Sequence, residues 1–370
     1  MSKKLDVVLK TTLSLVEQFQ STLSSHPTNS NPADDKTDDP LPLLSAAAAA
    51  LKTHVTKLSL LAITSPFTPS AVTTILSTLN ESVLPSLVTA SLLITPSSHT
   101  KAFQSEIRIL ASTTLKETAL LIEEVQVVAE EKADKKSLDK SEKDTVTVAA
   151  GRVWDACDVL VDIAAKGVIG FVVRRAEEYR DLVRDAVEEI EQWDPEDDDD
   201  FFDDLLGEDG GPGKDGDDED EDGDDDDDDD EDIAAQQARK KDALRILKPV
   251  AQIYPALISN RLKKGPALLD PSTVGTLELL LKKLQQVPNH IDEVACALYE
   301  DDVAKYTSEL KKTKSCSSEA IELVTLPWGS KSESDAQKDA GDKFTTWSKT
   351  WTKVVEQVSK STDGSGSKSG

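Results

Sequence analysis

Apolar residues recur at three- and four-residue intervals along most of the chain, the repeat of a helix with one face turned to a core. Leu5, Leu9, Val16, Phe19 and Leu23 share one face over residues 3–23. A polar stretch of Pro, Asn, Asp and Ser at 24–42 reads as a loop. Residues 43–64, rich in Ala and Leu, predict a second helix. SPFTPS then turns the chain. Pro69 suits the start of a third helix, near 70–95, which Pro85 should kink or split. TPSS marks the next start, with Ser97 or Ser98 as cap, and a long helix is predicted to Glu131. Beyond a charged loop, 145–164 and 168–193 are two helices joined end to end through AAKG. In the latter, Val172, Tyr179, Ala186 and Trp193 recur every seven residues. Ala176, Val183 and Ile190 fall four after them, a seam of three heptads. Arg174–Glu178 and Arg184–Glu188 are placed for contact along the opposite face.

The same repeat continues in the second half. Residues 233–264 carry Leu244, Leu247, Ile253, Leu257 and Ile258 on a helix strained by Pro249 and Pro255. Helices at 274–287 and 289–312 are predicted on either side of Pro288. A short one near 317–326 and a last one near 340–358, with Phe344, Trp347, Trp351 and Val355, follow. Strict period-two alternation over a strand length is absent. The prediction is an all-α protein of about ten helices in two antiparallel bundles. The expected divisions are an N-terminal bundle at 1–193, a disordered acidic linker at 194–232, a C-terminal bundle at 233–358 and a disordered tail at 359–370. Trp154, Tyr179, Ile190 and Trp193 are the expected structural anchors, with Trp154 in the core of the first bundle.

Charge changes the picture at one place. The 370 residues carry 42 Lys+Arg against 70 Asp+Glu, a formal net charge of −28. Between Asp194 and Asp232 stand 26 acids and a single base, Lys214. The remainder is close to neutral, so the global charge describes the tract and not the fold. This balance argues against direct binding to nucleic acid or an anionic membrane, which needs clustered cations. Cys157, Cys296 and Cys316 form no close pair, so a disulfide framework is not expected and a reducing compartment fits. The N-terminus MSKKLDVVLK lacks the apolar core of a signal peptide. The longest apolar runs fall well short of the roughly 20 residues of a bilayer span. A soluble intracellular protein is expected.

Motifs for catalysis are sparse. His26, His54, His99 and His290 stand at no metal-ligand spacing, and neither a nucleophile elbow nor a dinucleotide fingerprint occurs. GGPGKD around Lys214 imitates a phosphate loop but has Glu208 and Asp215 where Gly and Ser or Thr are needed. DEDEDG, from Asp218 to Gly223, opens like a calcium loop but reaches Asp229 where the bidentate Glu belongs. No catalytic residue, cofactor or metal is therefore assigned. Leu277, Leu284, Ile291 and Leu298 stand seven apart like a zipper, but Pro288 interrupts them, and a core role from two successive helices is expected. The tract reads either as a solvated spacer or as a docking arm for basic proteins. Within it, Phe201, Phe202, Leu205 and Leu206 form an apolar cluster suited to a partner's groove, or to this chain's own second bundle. The neighbouring acids would steer it toward basic rims such as Arg239, Lys240 and Lys241.

The stretch 153–193 resembles the cyclin-D-interacting, GCIP-like family. Val153, Trp154, Ala156 and Cys157 match a V-W-x-A-C element. Val183, Asp185, Ala186, Glu189, Ile190 and Glu191 match a later helical segment, with Arg184 in a Lys position. Weaker similarity covers about 53–95 and resumes after the tract. The resemblance implies a helical adaptor and not an enzyme. It implies cyclin-type or helix-loop-helix transcription partners, a restraint on cell-cycle progression, and residence in nucleus and cytoplasm. The alternative is an acidic chaperone or escort for basic nuclear proteins.

Overall fold

A computed structural model describes residues 2–25, 39–131, 139–195, 226–265, 269–328 and 342–365. All regular structure among these residues is helical, as the three- and four-residue repeat predicts. The chain divides into two compact units, Met1–Phe171 with Leu269–Gly275, and Val172–Leu268 with Thr276–Gly370. The division expected at residue 193 thus falls at 171/172, four residues past a kink at Gly167. The composition shift at Asp194 marks the start of the acidic tract and not the edge of a core.

In the first unit, α1 (Lys3–Ser24) buries Leu5, Leu9, Val16 and Leu23, while Phe19 is half-buried. Helix α2 (Pro40–Ile63) starts within the stretch read as a loop. Asp39 caps it by accepting from the Leu41 N–H, and Pro40 supplies the fixed φ of a first turn. Helices α3 (Pro69–Thr78) and α4 (Leu84–Leu93) are joined by a π turn, Leu79–Val83. Pro85 causes it. A proline here has no N–H to give the ladder and its ring crowds the carbonyl four residues back. The widened turn, in which the Leu84 N–H reaches Leu79 O, absorbs both. After the short α5 (Pro96–His99), α6 (Lys101–Glu131) begins. Its cap is Thr100, at φ 69°, whose hydroxyl accepts from the Phe103 N–H at 3.2 Å. Ser97 and Ser98 lie in α5 instead. Helix α1 packs on α3, α4 and α6, and α2 packs on the same three.

Helix α7 runs from Lys140 to Gln192 with a kink at Gly167, as the AAKG junction implied. Gly167 adopts φ 61°, ψ −165°, a region only glycine occupies readily. The heptad seam beyond it holds: Val172, Ala176, Val183, Ala186 and Ile190 are buried.

In the second unit, α8 (Asp226–Ala251) begins inside the acid run, earlier than expected. Most of the expected linker, residues 196–225, lies outside the described residues. Helix α9 (Ile253–Leu257) passes into a second π turn, Ile258–Leu262, three residues after Pro255. Helices α10 (Pro271–Tyr299), α11 (Val303–Glu322) and α12 (Lys343–Ser365) follow. Helix α8 packs on α11 and α12.

Three further boundaries differ from expectation. Helix α10 does not break at Pro288. The carbonyl that Pro288 leaves without a donor is Leu284 O, and the buried Tyr254 hydroxyl donates to it at 2.8 Å. Leu277, Leu284, Ile291 and Leu298 are all buried, so they face a core as expected, but from one helix. The break comes at Asp301, at φ 52°, with Asp302 capping α11 through the Lys305 N–H. Helix α11 also runs unbroken through SCSS, where the Ser317 hydroxyl bonds back to Thr313 O at 2.7 Å. Helix α12 extends to Ser365, past the expected start of the tail.

Candidate partner-binding surfaces

Phe201, Phe202, Leu205 and Leu206 lie outside the described residues. Of the expected anchors, Ile190 is fully buried, whereas Tyr179 and Trp193 are half-buried. The Trp193 ring lies 5.0 Å from that of Tyr299, at 55°. Trp154 is half-buried as well, short of the core position expected of it. Its neighbours Val153 and Cys157 are the fully buried residues of that turn. The indole Nε1 of Trp154 is enclosed with no hydrogen-bond partner among the described residues.

A groove of about 460 Å³ lies in the second unit where the chain leaves α7 for the acidic tract. Pro195 and Leu244 supply its apolar surface, and Lys240, Lys241, Arg245 and Lys248 its charge. Several of these cations are already engaged. Lys240 donates to Trp193 O, Lys248 meets Glu191 at 2.6 Å, and Arg245 meets Asp242 at 3.5 Å. Arg239 pairs with Asp301, and its carbonyl accepts from the Tyr306 hydroxyl at 3.0 Å. Of the three cations expected as a basic rim, Lys240 and Lys241 line the groove and Arg239 does not.

The groups that could carry chemistry are held in structural arrangements. Burial pushes the Cys157 thiol up to about 12, aided by the carboxylate of Asp158, so the nucleophilic thiolate is suppressed. Burial also raises Cys316, whose Sγ lies 3.6 Å from Gln286 Oε1. Burial lowers His99, against the pull of Asp39 at 3.8 Å. His290 Nδ1 lies 2.8 Å from Glu309 Oε2, and Lys312 holds Glu309 below the usual carboxylate range from 2.5 Å. No group of three His, Cys, Asp or Glu among the described residues is placed to hold a metal ion. No described helix is long and apolar enough to cross a membrane.

The densest polar network has no counterpart in the sequence reading. Arg261 is 3% exposed. Its guanidinium donates to Val324 O at 2.6 Å and Thr325 O at 2.7 Å, grips both oxygens of Asp342, and lies 4.5 Å from the centre of the Phe344 ring. The Trp328 indole donates to Arg261 O at 2.8 Å. The signal was a lone charge in the apolar run ALISNRL. This network ties the second π turn to the start of α12, so its role is structural.

Comparison with curated proteins finds no match. Residues 43–196, from α2 through the end of α7, match the family model described as Grap2 and cyclin-D-interacting, N-terminal, and over that stretch the chain is similar to the GCIP-like family.

Proposed function

We propose that this chain is a non-catalytic adaptor that binds D-type cyclins or helix-loop-helix transcription partners and restrains cell-cycle progression, in nucleus and cytoplasm. The observation that carries this reading is the match of residues 43–196 to a family named for its protein partners. The suppressed Cys157 thiol and the ion-paired Glu309 support a role without turnover. The apolar cluster Phe201, Phe202, Leu205 and Leu206 within the acidic tract is a proposed auxiliary contact, adding no more than about tenfold to an affinity set by the helical units. Calorimetric titration of the purified full-length chain with a purified D-type cyclin tests the reading. Saturable binding is expected, and heat no greater than dilution would contradict it. Reproducible turnover abolished by one polar-to-Ala substitution would contradict the non-catalytic part.

A second reading is favoured by the 26 acids between Asp194 and Asp232. As an escort for basic proteins, the chain would bind through long-range attraction that salt screens within roughly 10 Å at 0.1 M. Affinity for a basic partner such as a histone would then collapse with added salt, whereas docking of packed helices would be nearly indifferent to it.

A further inference from the structure

Helix α6 carries a second groove, in the first unit, walled by the last turn of α1. Its volume is about 400 Å³. Lys101, Arg108 and Lys116 line it, with hydroxyl and amide side chains between them and not one carboxylate. In a chain of net charge −28 this is a local positive island. The three cations stand seven and eight residues apart, two helical turns each. They therefore fall within a sector of about 80° on one side of α6, spaced by roughly 10–12 Å along its axis at 1.5 Å per residue. Between them Ile109 is 59% exposed, and the buried Leu23 of α1 forms the wall. Arg108 and Lys116 form no ion pair among the described residues, and the enclosed Nε of Arg108 has no acceptor.

We infer that this face of α6 is a docking site for an acidic amphipathic helix of a partner protein. Such a helix, laid along α6, repeats at the same pitch. Carboxylates two turns apart then meet Arg108 and Lys116 together, while an apolar side chain covers Ile109. A membrane surface fits poorly, since Ile109 is the one strongly exposed large apolar side chain in the groove. A polyphosphate offers nothing to cover the exposed Ile109. The site does not depend on which partner the adaptor serves.

The test uses the full-length chain and a fluorescein-labelled synthetic helix of Ala and Gln. The peptide carries three Glu at the intervals of Lys101, Arg108 and Lys116, and one Leu beside the middle Glu. A control peptide has Gln in place of each Glu. Fluorescence anisotropy should show the Glu peptide binding at least about tenfold more tightly than the control, a difference of about 1.4 kcal/mol. Arg108→Glu with Lys116→Glu should reduce its affinity to the control level, and Lys282→Glu with Lys311→Glu should not. Ile109→Ser should weaken it severalfold. Where charge reversal disturbs folding, as read by circular dichroism, Arg108→Gln with Lys116→Gln should give the same loss. Equal affinity for the two peptides overturns the inference, as does a folded variant that binds like wild type. Binding that appears only after deletion of residues 26–38 assigns the groove to the chain's own acidic segment and overturns it. So does a dimer in solution that Ile109→Ser dissociates.

Discussion

A single hydroxyl keeps α10 continuous. Pro288 removes the donor that Leu284 O would receive in an unbroken ladder, and the fully buried Tyr254 supplies another. Tyr254→Phe should therefore cost about 1–3 kcal/mol, the penalty for a buried carbonyl left without a partner. In a Pro288→Ala background the backbone N–H returns, and the same substitution should cost clearly less. Urea denaturation of the four proteins in this cycle measures the coupling; strict additivity would show that the two residues do not share the carbonyl. Asp342 makes a pH prediction. Hydrogen bonds from Arg261 hold its carboxyl well below the usual range, against the opposing effect of burial, with further help from Thr345. Its folded value lies under an unfolded value of about 3.9, so its contribution is complete above about pH 5 and drains away as pH falls below about 4. Asp342→Asn should lower stability at neutral pH and flatten the acid limb. Denaturation curves that shift in parallel at pH 7 and at about pH 3.5 would contradict this. The sequence could not show either device. The proline rule that predicted a break at Pro288 omits a donor from 34 residues away. Arg261 draws its acceptors from residues 63 to 81 positions later.

At the scale of elements, most of the pattern was legible because helix faces are written in short-range periodicity. The seam of α7, the kink at AAKG and the disturbance at Pro85 were all predicted from neighbours in sequence. The misplaced boundaries arose where local polarity was read as a break: at SCSS, at the loop before Pro40 and at the end of the acid run. At SCSS, hydroxyls bonding back to the helix favour continuation. Gly167 and Gly151, in the same helix, give a paired test. Gly167→Ala should cost about 1–3 kcal/mol from backbone strain alone, since an added Cβ would meet Leu41 at an ordinary 3.7 Å. Gly151 has open space around the same atom, and Gly151→Ala should leave stability unchanged or raise it by up to about 1 kcal/mol. Thermal denaturation that ranks the two in the opposite order would show that the kink does not depend on the glycine conformation.

For the whole molecule, the sequence showed an all-α chain and a likeness to the family that residues 43–196 match, but not the division into units. Composition changes at Asp194, whereas the compact units divide at 171/172, just past the AAKG junction, which the sequence marked only as a kink between two helices. Candidate surfaces were the least legible. Lys101, Arg108 and Lys116 look like any solvated helix face until the wall of α1 beside them is known. Phe201, Phe202, Leu205 and Leu206 stand out in sequence because apolar residues are rare among so many acids.

The central claim is that the chain works by protein–protein contact through its helical units, with the acidic tract dispensable for the core interaction. The most direct measurement is the affinity of a D-type cyclin for the full-length chain and for a chain lacking residues 196–225, each at low and high salt. The account predicts binding in all four conditions, with affinities within about tenfold of one another. Binding that vanishes on removal of the tract, or that falls with salt as steeply as a contact between opposite charge clusters, would contradict it and favour the escort reading.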